Sequence, residues 1–392
     1  MERIGIYGGT FNPPHIGHIS AAAQTVETLA LDKLLLIPDR IAPHKQLPGN
    51  SATPEQRLDM IRLAARGCPK AEVSDLELKR EGISYTYLTV EQLRQEYPDA
   101  ELFLLMGTDM FLSFLSWKEP ERIYRQATLA VMYRGEKGEA AAIEAQKQTM
   151  EALGAKVCLV KNDVVNISST QMRRLLAFRC AGELLPEGVL DYIRENRLYD
   201  TRAPWKNLPM DQLEQVVISL LNPNRVAHVL GCRDMAVELA RYWGANEEDA
   251  ARAGILHDIT KAIDGPLQLT LCEAYGKILS AFSRKYPKTL HALTGSMVAE
   301  RIFGENEAVV SAIESHTTGK ANMNLLEKII YIADYVEPNR TIPGVEELRR
   351  LAFTDLDAAM KLGLEMTLEH LSRQGAEVSP ESQEALAWLN RI

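Results

Sequence analysis

At 392 residues the chain is longer than one hydrophobic core usually grows, so two domains are expected. Hydrophobic residues at 46% and charged residues at 25% are ordinary for a globular protein, and a net charge of -9 argues against a nucleic-acid coat. Five scattered cysteines without a C-x-x-C pair argue against a disulfide framework or a thiolate zinc site, and no apolar run is long enough to span a bilayer. A strand-like Arg3–Tyr7 leaves no room for a signal peptide, so a cytoplasmic location is expected, with neither membrane nor nucleic acid as partner.

The first half alternates short apolar runs with helix-spaced segments. Strands are predicted over Arg3–Tyr7, Lys33–Ile37, Ala71–Leu78, Glu101–Met106, Thr128–Tyr133 and Lys156–Val160. Helices are predicted over Ile19–Leu29, Thr53–Ala65, Thr86–Glu96 and Glu139–Leu153. This alternation indicates a parallel sheet covered on both faces, an α/β doubly wound architecture. Ser169–Ala177 and Pro186–Asn196 close it as helices. The two prolines in Asp200–Pro209 place a boundary, with domains at 1–203 and 208–392. Beyond it only helical patterns remain, over Leu213–Leu221, Val226–Trp243, Glu248–Leu256, Thr289–Phe303, Asn306–Ser315, Leu325–Val336, Leu351–Leu371 and Pro380–Asn390. The second domain is therefore expected to be all-α.

Gly8-Gly9-Thr10-Phe11-Asn12-Pro13-Pro14-His15-Ile16-Gly17-His18 lies at the carboxyl end of the first strand, where open α/β sheets bind ligands. Glycine lets a ligand approach the backbone, and the following helix start offers N–H groups to an anion. Histidines three apart at that start can face one phosphate. Ile167-Ser168-Ser169-Thr170-Gln171-Met172-Arg173 opens a later helix with three hydroxyls and an arginine one turn on.

His15-Ile16-Gly17-His18 and Ile167–Arg173 resemble the H-x-G-H and I-S-S-T-x-x-R signatures of the Rossmann-like nucleotidyltransferase superfamily. Residues 1 to about 199 resemble its bacterial nicotinate-mononucleotide adenylyltransferases. The likeness runs through the opening motif, Pro43-His44-Lys45, Ser84-Tyr85-Thr86, Gly107-Thr108-Asp109, Ser116-Trp117, Tyr192-Ile193 and Leu198-Tyr199. Ala42 stands where that family often has a proline. The resemblance implies transfer of AMP from ATP, accompanied by Mg²⁺, to nicotinate mononucleotide in NAD biosynthesis. It implies Gly8, Gly9, Thr10, Phe11, His15, His18, Gly107, Asp109, Ile167, Ser168, Ser169, Thr170 and Arg173 around ATP. It gives catalytic roles to His15, His18, Lys45 and Arg173, and sets His44, Lys45, Thr86, Trp117 and Arg134 around the mononucleotide. Transfer to another phosphate ester such as phosphopantetheine is the alternative.

In the helical half, His228, His257-Asp258, His291, His316 and Asp334 each fall within or at the end of an apolar helix. Buried histidine and aspartate need partners, and one metal partners several at once. Imidazole and carboxylate without thiolate suit Fe, Mn, Co or Zn. The order H…HD…H…H…D resembles the HD-domain phosphohydrolases. His257-Asp258-Ile259-Thr260-Lys261, His316-Thr317-Thr318-Gly319 and Ala333–Arg340 resemble those that split diadenosine tetraphosphate into two ADP.

That resemblance implies one or two divalent metals (Fe, Mn or Co). His228, His257, Asp258 and Asp334 would hold one, with Asp258 bridging to a second on His291 and His316. Asp258 and Lys261 become catalytic, Lys261 and Arg340 phosphate contacts, and dinucleoside polyphosphates the substrates. A bifunctional enzyme is expected, with self-association left open. The alternative is an HD half that acts as a nucleotidase or as a non-catalytic nucleotide sensor.

Overall fold

The computed structural model describes every residue except 44–46, 134–137, 164–166 and 392. Two compact units divide the chain, Met1–Arg202 and Ala203–Ile392. In the first, the strands are β1 (Arg3–Gly9), β2 (Lys33–Pro38), β3 (Ala71–Val73), β4 (Glu101–Gly107), β5 (Thr128–Tyr133) and β6 (Val157–Lys161). All pair in parallel, in the order β3-β2-β1-β4-β5-β6. Between and after them run α1 (Ile16–Thr28), α2 (Pro54–Ala65), α3 (Leu76–Lys79), α4 (Thr86–Glu96), α5 (Thr108–Leu112), α6 (Pro120–Tyr124), α7 (Glu139–Ala152), α8 (Ser169–Ala177) and α9 (Val189–Glu195).

Leu34, Leu35 and Leu36 project to alternate faces of the sheet, yet all are buried, so helices cover both sides. β1 lies beside β4 although β2 and β3 intervene in sequence. That reversal of winding opens a crevice above the carboxyl ends of β1 and β4, the usual ligand position in such a sheet.

The strand expected over Ala71–Leu78 ends at Val73, and Leu76–Lys79 turns into α3. Ser74 makes the change. Its N–H still pairs with the Leu36 carbonyl at 3.0 Å, while its Oγ accepts the Leu76 N–H at 3.3 Å and bends the chain.

The second unit is helical throughout: α10 (Met210–Leu220), α11 (Val226–Trp243), α12 (Glu247–Leu256), α13 (Gly265–Ala274), α14 (Ala281–Lys285), α15 (His291–Val298), α16 (Glu307–Ser315), α17 (Leu325–Val336), α18 (Val345–Ala352), α19 (Leu356–Arg373) and α20 (Pro380–Leu389). Its centre is formed by α11, α12, α16 and α17, with α15 against α16. Trp205 stacks on Phe303 with ring centroids 5.8 Å apart, so the proline-containing segment docks on this unit instead of hanging as a tether. The helix expected over Leu351–Leu371 is broken at Phe353–Asp355. Thr354 Oγ1 bonds back to the Arg350 carbonyl at 3.0 Å, and Asp355 caps a new helix by accepting the Ala358 N–H at 2.9 Å. Among the described residues no helix is long and apolar enough to cross a membrane.

Candidate functional site

His15 is the N-cap of α1, extended at φ -139° and 3% exposed. The His18 ring lies against it, with centroids 3.6 Å apart. His18 Nδ1 accepts the His15 backbone N–H at 3.2 Å. A ring nitrogen that accepts carries no proton, so the neutral ring holds its proton on Nε2, the form that donates to an oxygen. Phe11, at a left-handed φ of 47°, packs its ring 5.3 Å from His18. A Cβ on Gly9 would come within 3.2 Å of the Phe11 ring, so a larger residue there would press on that ring.

The second anion-binding start meets the first. Ser168 caps α8 by accepting the Gln171 N–H at 3.2 Å. Ser169 Oγ donates to the Pro13 carbonyl at 3.1 Å. The Arg173 guanidinium donates to the Asn12 carbonyl at 2.8 Å and to Thr170 Oγ1 at 3.1 Å. The N-termini of α1 and α8 are thus tied together with their N–H groups, hydroxyls and arginine in one place.

A brace behind the loop escapes sequence reasoning. Arg57 on α2 is fully buried. It donates to the Thr10 carbonyl at 2.7 Å, to Asp39 Oδ1 at 2.9 Å and to the Asp39 carbonyl at 2.7 Å. Asp39 Oδ2 in turn accepts from Thr10 Oγ1 at 2.8 Å. The only sequence signal is that Arg57 falls in phase with Ile61 and Ala64 on the buried face of α2. On the other side, Tyr199 OH donates to Asn12 Oδ1 at 2.6 Å, and Asn12 Nδ2 donates to Ser51 Oγ at 3.0 Å.

Gly8 is the penultimate residue of β1, and Ile167 is buried just before α8. Gly107 is the N-cap of α5 at the end of β4, with Asp109 exposed on that helix. Thr86 opens α4, and the half-buried Trp117 packs 5.2 Å from Phe114. Gly107 and Asp109 thus share one helix start, whereas Thr86 and Trp117 stand on other elements of the same unit. His44, Lys45 and Arg134 lie outside the described residues.

In the helical unit, α11 carries His228, the end of α12 leads to His257 and Asp258, and α15 begins with His291. His316 follows α16, and Asp334 lies near the end of α17. Three of the rings are set alike. Nδ1 of His257, His291 and His316 faces the carbonyl three residues earlier, at 2.7, 2.9 and 2.6 Å. A carbonyl only accepts, so Nδ1 carries the proton and Nε2 presents a lone pair. His228 Nδ1 reaches the same state through Glu337 Oε1 at 3.0 Å. Burial lowers His257 and His291 well below the ordinary histidine value and His316 to about 4, which keeps these three rings neutral at pH 7.

Those lone pairs converge on carboxylates. His228 Nε2 is 3.1 Å from Asp334 Oδ1 and 3.7 Å from Asp258 Oδ2. His257 Nε2 is 3.5 Å from Asp258 Oδ2. His291 and His316 face the other oxygen, Oδ1, at 3.4 and 3.8 Å. Nε2 of His228 and of His257 is buried and forms no hydrogen bond among the described residues. Lone pairs and carboxylate oxygens packed this way repel unless a cation joins them. Two trios, His228-His257-Asp334 and His257-Asp258-His316, keep their donor atoms within 4.8 Å of one another, so the residues fit a divalent metal. His291 falls outside both trios: its Nε2 is met by Lys261 Nζ at 2.8 Å and by Thr317 Oγ1 at 3.1 Å.

Three cations ring this cluster. Arg225, just before α11, contacts Asp258 Oδ2. Arg340 is 2.6 Å from Asp334 Oδ1, and its Nε donates to the Asp334 carbonyl at 2.8 Å. Burial lowers the Lys261 amine to about 8. Burial works to raise the Asp334 carboxyl, but the Arg340 guanidinium beside it works the other way, and the carboxyl stays well below the usual carboxylate range. Sequence reasoning missed Arg225 and Glu337. Arg225 sits in an unremarkable Pro-Asn-Arg turn, whereas Glu337 lies inside the Ala333–Arg340 motif, whose pattern does not show which side chain it faces.

Residues 6–175 match the cytidylyltransferase-like family model, and residues 225–339 match the HD domain model. A probable nicotinate-nucleotide adenylyltransferase of Shewanella baltica (strain OS223) is 40% identical over 215 residues, covering 50% of this chain and 99% of the relative. Another, from Dictyoglomus turgidum, is 36% identical over 198 residues, with 50% and 95% covered. Among solved structures, a predicted HD superfamily hydrolase involved in NAD metabolism from Clostridium acetobutylicum is 36% identical. It covers 47% of this chain and 98% of that one, at a TM-score of 0.46.

Proposed function

Because the chain belongs through its first half to the nicotinate-nucleotide adenylyltransferase family and carries an HD domain behind it, we propose that it is a bifunctional enzyme. The first site transfers AMP from ATP to nicotinate mononucleotide. The second hydrolyses dinucleoside polyphosphates, such as diadenosine tetraphosphate to two ADP, with a bound divalent metal.

In the first reaction an oxygen of the mononucleotide phosphate attacks the α-phosphorus of ATP. The bond from that phosphorus to the bridging oxygen breaks, and pyrophosphate leaves. Both substrates bring their own nucleophile and leaving group, so the protein contributes position and charge stabilisation. His18 donates from Nε2 to an α-phosphate oxygen beside His15. The helix starts at Ile16 and Ser169, with Arg173, take the β and γ oxygens, and Mg²⁺ enters with ATP. The observation that carries this reading is the bonding of Ser169 and Arg173 to the carbonyls of Pro13 and Asn12, which brings both starts to one point.

In the helical unit, His228, His257, Asp258 and Asp334 would hold a metal, with His316 and His291 on the far oxygen of Asp258. A divalent ion there supplies Lewis-acid stabilisation of phosphoryl charge. Arg225, Lys261 and Arg340 stand around the same carboxylates, where they would meet the phosphate oxygens of the substrate.

The test is product analysis of the full chain. With ATP and nicotinate mononucleotide, nicotinate adenine dinucleotide and pyrophosphate are expected. With diadenosine tetraphosphate and Mn²⁺, Fe²⁺ or Co²⁺, only ADP is expected. Adenylylation of phosphopantetheine in place of nicotinate mononucleotide would overturn the first assignment. Intact diadenosine tetraphosphate alongside hydrolysed mononucleotides would overturn the second.

A further inference from the structure

We propose that Glu337 is a positioning residue for the helical site, one that orients His228 and thereby sets how tightly the site holds its metal. The inference rests on the metal-binding reading above. Glu337 lies just beyond α17 and is 1% exposed. Oε1 is 3.0 Å from His228 Nδ1, while Oε2 accepts the Asn339 backbone N–H at 2.7 Å and its Nδ2 at 3.0 Å. Both oxygens therefore face donors. A carboxylate satisfies this arrangement, whereas an amide would turn its NH₂ against either His228 or Asn339.

Two further features hold the carboxylate in place. Arg349 donates to the carbonyls of Val336 and Glu337, each at 3.0 Å, and fixes the turn that carries it. On α11, three residues past His228, Gly231 leaves the space that Glu337 fills. A Cβ there would overlap Glu337 Oε2 and come within 3.0 Å of Asn339 Nδ2.

The consequence falls on His228. With its Nδ1–H held by an anion, the ring keeps its lone pair on Nε2, aimed at Asp334 Oδ1 3.1 Å away. A carboxylate behind an imidazole also makes it a stronger metal donor. His257, His291 and His316 have backbone carbonyls at Nδ1, so of these four rings His228 is the one with a carboxylate there.

The experiment titrates Mn²⁺ by calorimetry into metal-free full-length wild type, Glu337→Gln, Gly231→Ala and His228→Ala. Glu337→Gln is expected to bind about 10- to 100-fold more weakly. Gly231→Ala should lose affinity in the same direction with the carboxylate chemically intact. Melting of the second unit without metal, read beside wild type, reports that both variants are folded there, and adenylyl transfer reports the first unit. Wild-type affinity in Glu337→Gln, with affinity lost in His228→Ala, overturns the role of Glu337 and leaves the metal site standing. Equal binding by wild type and His228→Ala, or none by either, overturns both.

Discussion

Replacing Arg57 with methionine keeps most of the side-chain volume and removes the charge that braces the phosphate loop. The structure assigns Arg57 three hydrogen bonds at 2.7–2.9 Å, to the Thr10 carbonyl, Asp39 Oδ1 and the Asp39 carbonyl. Summed as charge-assisted bonds at about 1.5–3 kcal/mol each, they would overstate the loss. Arg57 also bears a desolvation cost, and its buried Nε has no hydrogen-bond partner among the described residues. Removing one partner of a buried ion pair, at about 3–5 kcal/mol, is the better guide, because Asp39 is left with an 11% exposed carboxylate facing Thr10. For a unit of this size each kcal/mol shifts the melting temperature by about 2–4 °C, giving a fall of about 6–20 °C. Calorimetry of the full chain checks this, with loss of adenylyl transfer on heating marking which transition belongs to the first unit. The same variant should raise the KM for ATP, since Thr10 precedes the turn at Phe11. A fall of less than about 2 °C in that transition would refute the reasoning.

His18→Ala should lower kcat for adenylyl transfer by about 10²- to 10³-fold, as for loss of one preorganised donor, with the KM for ATP changing far less; steady-state kinetics separate the two. Asp258→Asn removes the carboxylate that faces both histidine sets, so metal-dependent hydrolysis should vanish while adenylyl transfer stays at wild-type rate in the same preparation. Burial raises the Glu77 carboxyl above its ordinary value of 4.5. From 4.5 up to that raised value the folded chain holds a proton that the unfolded chain has released, so stability falls as pH rises through this window. Glu77→Gln should flatten that slope and melt higher at neutral pH; unchanged melting curves across the window would contradict it.

Local pattern was enough for the architecture. Apolar runs alternating with helical spacing marked a parallel α/β sheet, and the loss of strand patterns after Val160 marked a helical second half. His15-Ile16-Gly17-His18 and Ile167–Arg173 could be picked out because each places its chemistry within about two turns at one helix start, and the histidine-aspartate series because each member sits in or at the end of an apolar helix. Local pattern failed where a single side chain redirected the backbone. Ser74 ended β3 early, and Asp355 split what reads as one long helix, since each bonds a nearby N–H and so competes with the regular ladder.

Other features had a local signature too faint to assign them a partner. Arg57 reads as a misplaced charge until Asp39 and the Thr10 carbonyl close around it. Arg225 reads as a turn residue until α12 brings Asp258 beside it. Glu337 is assigned a partner only when α11 and α17 pack. The sequence by itself determined which elements form and which residues carry chemistry, because propensity and periodicity act over a few residues. Only the tertiary structure decided that β1 lies beside β4, that Ser169 and Arg173 reach the Asn12-Pro13 turn, and that a carboxylate stands behind His228. Each of those is a contact between segments distant in sequence, made when burial forces every charged or polar group to find a partner.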